Sequence, residues 1–483
     1  MYRVVGLSVL LALGLSACST AQPELAPLQA RAPGQFQGQD LLNKLAQASS
    51  SQVASQWWAG FGDPTLNTLI EQAIRNNFTV RASAARVQEA QALLQLNSAQ
   101  EGLLVELDAV ATAQRSERGN LLAASTGGTG SASNVSRREE VLGGIGIALP
   151  LDVAGGLQQQ TRAAAANLLA LQAQLRADIV NTSTAVAQEY LRMRGNQKQL
   201  DLLRGAVALQ EETLKVVRAR FEAGLSPELD VRRAETSVEN LRASIAPLEK
   251  SVQDARFRLA TLAGRFAWGD EAALAREGEL PTFSGEVPNA LPLQVLQNRP
   301  EVQVAQARFA QAAAEVGVAQ ADFYPSVALM ADLRFGNVAS NGNPAVGVLV
   351  GALSAMISQV VWDGGARQAQ LDAAKARADG ALANYEQVLR EVVQGVELAL
   401  TAVDASSRRQ QALMKAVTSS RRSFEQAEAL YQLGLISFLD VVDAQRVLAN
   451  AEQTLAAEQT EYALRITSLF QALGVQHGFP QLN

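Results

Sequence analysis

An internal duplication constrains this chain more than any other feature of its sequence. Phe221-Glu-Ala-Gly-Leu-Ser-Pro-Glu-Leu-Asp230-Val231 returns as Tyr431-Gln-Leu-Gly-Leu-Ile-Ser-Phe-Leu-Asp440-Val441, 210 residues later. Asp152-Val-Ala-Gly-Gly156 answers Trp362-Asp-Gly-Gly365, with the glycine pairs 209 apart. Ala85-Arg-Val-Gln-Glu-Ala90 answers Ala307-Arg-Phe-Ala-Gln-Ala312, 222 apart. Each half therefore holds one copy of the same unit. The drop from 222 to 209 places a deletion of 13 residues in the second copy, between Pro325 and Gly364. A period this long is far beyond that of a solenoid.

The two copies read as helical hairpins. Leu168, Leu171, Leu175, Ile179, Val186, Tyr190 and Met193 form one seam at helical spacing within a proline-free stretch from Gly156 to Phe221. Gly365 to Tyr431 repeats it. Each stretch predicts a helix of about 100 Å at 1.5 Å per residue, far above the usual length. A tight turn follows in both copies, Gly224-Leu-Ser-Pro227 and Gly434-Leu-Ile-Ser437. Glycine is a C-cap signal there, and Ser226 before Pro227 reads as an N-cap with proline at the first helical position. The returning helices carry strict heptads, Val231, Val238, Ile245, Val252, Leu259 and Val441, Leu448, Leu455, Tyr462, Leu469. Pro247 is expected to bend the first of them; Ala457 takes its place in the second.

Before each long helix the period changes to two. Val105, Leu107, Ala109, Ala111 and Ala113 alternate with polar residues. Ile145 to Val153, Val327 to Phe335 and the segment Gly347–Trp362 behave similarly. Such alternation over about ten residues fits transmembrane β-strands. Arg115–Glu140 and Gly336–Val346, rich in Gly, Ser and Asn, are expected to be surface loops. Four strands cannot close a barrel, and an open edge in lipid leaves backbone groups unpaired. The barrel must be shared between chains, in a number that the strand count does not fix.

Composition excludes several chemistries. One Cys and one His occur in 483 residues, so no internal disulfide forms and no histidine-based catalytic or zinc centre is expected. A net charge of −6 gives no reason to expect nucleic acid. Arg3, the apolar run Val4–Leu15 and Leu15-Ser-Ala-Cys18 read as a secretory signal too short to span a membrane. The lone Cys18 sits at the expected cut, where acylation gives it a use.

These residues resemble a known family. Leu-Ser-Ala-Cys18 resembles the bacterial lipobox. Trp57-Trp-Ala-Gly-Phe-Gly-Asp-Pro-Thr-Leu66, Asp322-Phe-Tyr-Pro-Ser326, Trp362-Asp-Gly-Gly365 and Gly434-Leu-Ile-Ser-Phe-Leu-Asp-Val-Val-Asp-Ala-Gln445 follow in order. Together, on a duplicated chain, they resemble the TolC-like outer-membrane factors of tripartite efflux and secretion systems, in the lipidated NodT-type branch. The resemblance covers essentially the whole mature chain.

That resemblance implies a mainly α fold with transmembrane β. Each duplicated unit is a long helical hairpin plus two strands, and a homotrimer forms a 12-stranded β-barrel joined to a periplasmic α-helical barrel. The implied layout is a signal peptide over 1–17, a lipidated N-terminal and equatorial segment over 18–78, a first repeat over 79–264, an equatorial linker over 265–298, a second repeat over 299–474 and a tail over 475–483. Helix Val80–Gln100 is expected to stack on Leu439–Leu473, and Glu301–Ala321 on Leu229–Ala263. The implied location is the Gram-negative outer membrane, with diacylglycerol and palmitate on Cys18 and reach into the periplasm. The partners are outer-membrane lipid, a periplasmic adaptor and an inner-membrane pump; the duct is passive, with no cofactor and no catalytic residue.

The implied site lies at the periplasmic tip. Gly224, Leu225, Gly434 and Leu435 are the adaptor-docking turns. Leu439 constricts the gate, and Asp440 and Asp443 from three chains ring it with carboxylates that attract cations. Tyr431 links the closed state to Asp230. Ile436 stands where some members carry Arg, so that charged link is absent. A plain alternative for the aspartates is that they are charges favoured at a helix N-terminus. Two other classes compete. A carboxylate-pair enzyme of the glycosidase kind needs a sugar-binding cleft, and none is evident. A coiled-coil envelope lipoprotein without a channel leaves the alternating strands unexplained.

Overall fold

The computed structural model describes residues 33–46, 56–118, 134–266, 274, 278–285, 287, 290–341 and 343–474. Cys18 and the tail 475–483 lie outside them, as does most of the Gly/Ser-rich loop between the first two strands. In chain order the elements are α1 (Gln39–Ala46), a 3-10 turn (Trp57–Phe61), α2 (Pro64–Asn76), α3 (Phe78–Gln100), β1 (Leu104–Arg118), β2 (Asn134–Leu151), α4 (Gly156–Glu222), α5 (Glu228–Ala243), α6 (Ile245–Leu262), α7 (Pro292–Asn298), α8 (Pro300–Ala321), β3 (Ser326–Ser340), β4 (Val346–Ser358), α9 (Ala366–Gln432) and α10 (Phe438–Leu473). The two long helices have 67 residues each. No helix among the described residues is long and apolar enough to cross a membrane. The chain divides into two compact units, one of them Gln88–Leu169 with Ala307–Ala383, the other holding the remaining described residues.

The first unit is built on one antiparallel sheet in the order β1-β2-β3-β4. Its register explains the period-two pattern. Leu107 pairs Ile145, Ile145 pairs Leu333, and Leu333 pairs Gly351. The next rank outward is Ala109, Gly143, Phe335 and Leu349, and on the other side Val105, Ile147, Ala331 and Leu353. Side chains two apart share a face, so one face is apolar across all four strands. Leu107, Leu349 and Leu353 are 79%, 72% and 86% exposed on it. The other face carries Arg334 between Asp332 (2.7 Å) and Asp108 (3.8 Å). The strands run further than expected at their loop ends and stop short at their helix ends, β2 at Leu151 instead of Val153 and β4 at Ser358 instead of Trp362. β1 and β2 take in Arg115–Arg118 and Asn134–Glu140, and β3 continues to Ser340. Polar residues extend the ladder there because backbone pairing continues irrespective of the side chain. The connector is 119–133 in the first copy and 341–345 in the second, which is where most of the shortening falls.

Both strand-to-helix junctions use the same chemistry. Asp152 accepts from the Gln158 amide at 2.8 Å, and Asp363 accepts from Gly365 and Arg367 amides at 3.0 and 3.1 Å. Each aspartate satisfies orphan donors of a 67-residue helix. Gly155, Gly364 and Gly365 hold positive φ at these turns, a conformation that glycine adopts without steric cost. The Arg367 side chain, bonded to Asp363, holds that carboxyl below its ordinary pKa.

In the second unit the heptads are the core. Val231, Val238, Val252 and Leu259 of the first copy are buried, as are Val441, Leu448 and Leu469 of the second. The expected bend appears as a break. α5 ends at Ala243 and α6 begins at Ile245, because Pro247 has no N–H for the Ala243 carbonyl and its ring crowds it. α10, with Ala457 there, is unbroken over 36 residues.

End-to-end junctions differ from the expected pairing. The Asn77 side chain caps α3 through the Thr79 amide (2.8 Å) and donates to the Leu262 carbonyl at the end of α6 (2.9 Å). Arg299, just before α8, donates to the Gln471 and Ala472 carbonyls at the end of α10. So α3 abuts α6 and α8 abuts α10. Each repeat closes on itself, because a donor at one helix start meets the orphan carbonyls of a helix end in the same copy.

Trp57-Trp-Ala-Gly-Phe-Gly-Asp-Pro is the anchor of this unit. Trp57 stacks on Phe470 at 5.4 Å, and Phe283 meets both Phe61 and Phe470 at 5.2 and 5.3 Å. Asp63 caps α2 through the Thr65 amide at 2.8 Å, with Pro64 following. Its second oxygen accepts from the Tyr190 hydroxyl at 2.5 Å, and that hydroxyl accepts from Arg194 at 3.0 Å. Burial, reinforced by the Asp63 bond and opposed by Arg194, pushes the Tyr190 hydroxyl up to about 12. A raised phenol pKa stabilises the fold fully below the unfolded value near 10 and loses that contribution as pH rises towards 12. Tyr190→Phe is therefore expected to melt lower at pH 8, by roughly 1–3 kcal/mol of stability. The gap between the two proteins should shrink between pH 10 and 12, read by circular dichroism melts across that range.

Candidate functional site at the helical turns

The two turns have one geometry. Gly224 and Gly434 have φ of 70° and 77°. The Leu225 amide reaches the Arg220 carbonyl at 2.8 Å and the Gly224 amide the Phe221 carbonyl at 2.9 Å. Leu435 and Gly434 repeat both bonds to Leu430 and Tyr431 at 2.9 Å. These are Schellman endings, which require a left-handed residue after the helix. Backbone geometry thus accounts for the glycines. It does not account for Leu225 and Leu435, which are 68% and 67% exposed.

The helices that follow start differently. Ser437 is the N-cap of α10, and Asp440 returns a capping box, its carboxylate accepting from the Ser437 amide at 2.9 Å and hydroxyl at 2.7 Å. The cap of α5 falls on Pro227, the counterpart of Ser437, one residue later than Ser226. The Ser226 hydroxyl is buried with no hydrogen-bond partner among the described residues. Asp443 pairs with Arg446 at 2.6 Å and is solvent-exposed. Leu439 is 55% exposed beside it.

Tyr431 has a different partner within the chain from the one expected. Its hydroxyl makes no hydrogen bond to Asp230, nor to any other described residue. Asp230 lies against Arg233 at 4.0 Å. Instead the guanidinium of Arg220 stands 4.8 Å over the Tyr431 ring and points a nitrogen at the Tyr431 carbonyl, 3.5 Å away. Tyr431 also meets Phe438 at 5.8 Å. Burial raises the Tyr431 pKa, with Arg220 opposing and the Asp230 charge reinforcing. Arg220 thus ties α4 to α9, a contact that the sequence pattern does not reveal. Its signal was a basic residue in the last turn of a helix, favoured at that end by the dipole. The counterpart in the second copy is Leu430, so the contact exists once.

Residues 69–265 and 291–475 match the family model described as outer membrane efflux protein. The chain belongs to the outer membrane efflux protein family. It is 28% identical to the outer membrane protein OprJ of Pseudomonas aeruginosa over 97% of this chain and 95% of OprJ. Nodulation protein T of Rhizobium leguminosarum bv. trifolii is 27% identical over 86% of this chain and 87% of its own length. The solved outer-membrane channel OprN superposes with a TM-score of 0.84 at 28% identity, over 95% of this chain and 99% of that one. The fold is therefore that of an outer membrane efflux protein, a β domain with long helical hairpins, duplicated within the chain.

The geometry at Tyr431 yields a sharp contrast. Removing a buried hydroxyl without a partner is nearly neutral or stabilising, so Tyr431→Phe should leave the melting temperature unchanged or slightly raised. Arg220→Met should lower stability by about 0.5–1 kcal/mol through the lost cation–π contact. Should Tyr431→Phe instead destabilise the assembled protein, its hydroxyl is bonded to a neighbouring copy.

Proposed function

We propose that this chain is the outer-membrane exit duct of a tripartite efflux pump, a passive channel rather than an enzyme. The observation that carries the reading is the four-stranded sheet with one apolar face and two open edges. Three such sheets side by side make a 12-strand barrel with no edge left, the apolar face turned to lipid and the Arg334–Asp332 face turned to water. An inner-membrane pump supplies the energy, and a periplasmic adaptor docks on the turns at Gly224, Leu225, Gly434 and Leu435. The exposed leucines there support a docking role, since backbone geometry does not require them.

The gate reading rests on Leu439, Asp440 and Asp443 gathered at the start of α10. All three are exposed in the single chain. Three copies bring six carboxylates about one axis, where cations bridge them. Asp440 has a second duty in the capping box, so alanine there also removes a cap at a cost of about 1 kcal/mol. Asparagine keeps an acceptor and removes the charge. The protein, purified as a trimer by native mass, is expected to conduct in planar bilayers. Trivalent cations should block the current from the periplasmic side alone, and Asp440→Asn with Asp443→Asn should abolish that block. Persistence of the block in this variant places the ring elsewhere. A trimer with no conductance in any state favours the envelope tether instead.

Anchoring is proposed through Cys18, processed after residue 17 and carrying diacylglycerol and palmitate. Radiolabelled palmitate should enter the wild type and not Cys18→Ala. The variant should stay in the outer-membrane fraction, since an apolar band roughly 25 Å tall remains. Equal labelling of both proteins removes the lipidation claim.

A further inference from the structure

The second unit holds a cavity of about 820 Å³ bounded by α4, α5, α9 and α10, within the size range of small-molecule sites. Its wall is largely apolar, with Leu209, Leu241, Phe424 and Leu448 among the lining side chains. Phe424 and Leu448 belong to the core cluster that also holds Tyr431 and Phe438. Two glutamines interrupt this wall. Gln210 of α4 and Gln445 of α10 are only 2% and 5% exposed. The Gln210 Nε2 and both amide atoms of Gln445 have no hydrogen-bond partner among the described residues.

A buried amide without a partner is destabilising, and most such groups in folded proteins are satisfied. Helical hairpins could meet here through leucine at either position with no such penalty. The wall carries charges of both signs, Lys198, Arg421 and Arg446 against Asp201, Glu425 and Glu452, so no net field selects an ion. Beyond these charges the pocket offers volume, apolar contact and, among its buried atoms, two amide donors and one acceptor that have no partner among the described residues. Both residues line the cavity, and the terminal torsion of a glutamine amide is broad.

We propose that this cavity binds an uncharged small molecule with an apolar body and an amide-type head group, whose carbonyl accepts from Gln210 and Gln445 and whose N–H donates to the Gln445 oxygen. The occupant touches both hairpins and braces one against the other. The cavity borders the gate residues, since Arg446 in its wall pairs with Asp443 at 2.6 Å, but neither Asp440 nor Asp443 lines it, and it stands whether or not the chain conducts.

Shape-matched probes isolate the head group. 4-Fluorobenzanilide and 4-fluorostilbene share two aryl rings and an extended bridge, but only the first has an amide. Binding to the full chain in nanodiscs is followed by fluorine NMR, with empty nanodiscs as the background. We expect saturable binding of the anilide at one site per chain, about tenfold tighter than the stilbene, as one or two net hydrogen bonds allow. Gln445→Met and Gln210→Met, which keep volume and remove the amides, should each shrink that preference, and the double variant should abolish it. Leu241→Trp, which takes up part of the cavity and leaves both amides in place, should weaken both probes. The proposal is overturned by absence of saturable binding, by equal affinity for the two probes, or by a preference that survives in the double glutamine variant. It is overturned equally by undiminished binding in Leu241→Trp, so a glutamine variant that fails to assemble does not shield it.

Discussion

The outer backbone rows of β1 and β4 have no ladder partner among the described residues, and the rest of the architecture answers to that fact. In water such groups bond to solvent. Against hydrocarbon each unsatisfied group costs several kcal/mol, and the apolar ranks from Leu107 to Gly351 are suited to hydrocarbon. Four strands therefore need other strands. The duplication limits how the sheet itself is made. β2 and β3 come from different copies yet pair over 14 residue positions, from Arg138 with Ser340 to Leu151 with Val327, so the two repeats are fused through their strands before any other copy is involved.

Helix ends pose the matching problem for the helical part. A 67-residue helix needs few side-chain contacts along its length to satisfy its backbone, but its termini leave orphan groups. This chain meets each with a specific device. Asp152 and Asp363 cap the starts, Gly224 and Gly434 close the ends, Asn77 and Arg299 bridge from one helix start to another helix end. Most of the motifs that stand out in the sequence are these devices. Asp-Gly-Gly and Gly-Leu are explained by amide and carbonyl bookkeeping without reference to any partner, which is why the exposed Leu225 and Leu435 carry more weight for docking than the glycines beside them.

That distinction also shows how much was legible in the sequence. The period of the apolar pattern fixes element type, so the first long helix was readable from Leu168–Met193 and the first strand from Val105–Ala113, and the duplication carried the reading to the second copy. Strand ends were not, because Arg115–Arg118 and Asn134–Glu140 have loop-like composition and are held by the ladder. Pro247 was readable as a defect, since a missing N–H is a local fact. The pairing of α3 with α6 was not, because it depends on which helix end Asn77 reaches. The carboxylates of Asp440 and Asp443 were readable as a pair at a helix start. Their separate employments, one in a capping box with Ser437 and one with Arg446, depend on side-chain geometry. Arg220 shows the limit most clearly, since nothing in its spacing says that it will lie over the ring of Tyr431.

Where the two copies depart from symmetry, the departures lie in the returning helices and their starts. α10 is one continuous helix with a capping box, whereas its counterpart starts on Pro227 and breaks after Ala243. A continuous capped helix transmits a displacement at its first turn along its heptad seam, from Val441 to Leu469. A broken one absorbs displacement at the break, where one backbone bond is already missing. The Arg220–Tyr431 contact fastens α4 to α9, so it joins the interrupted hairpin to the continuous one at the level of the turns. The first copy thus returns through an interrupted helix and the second through a continuous one, with Leu439 and Asp440 on its first turn and Asp443 on the next.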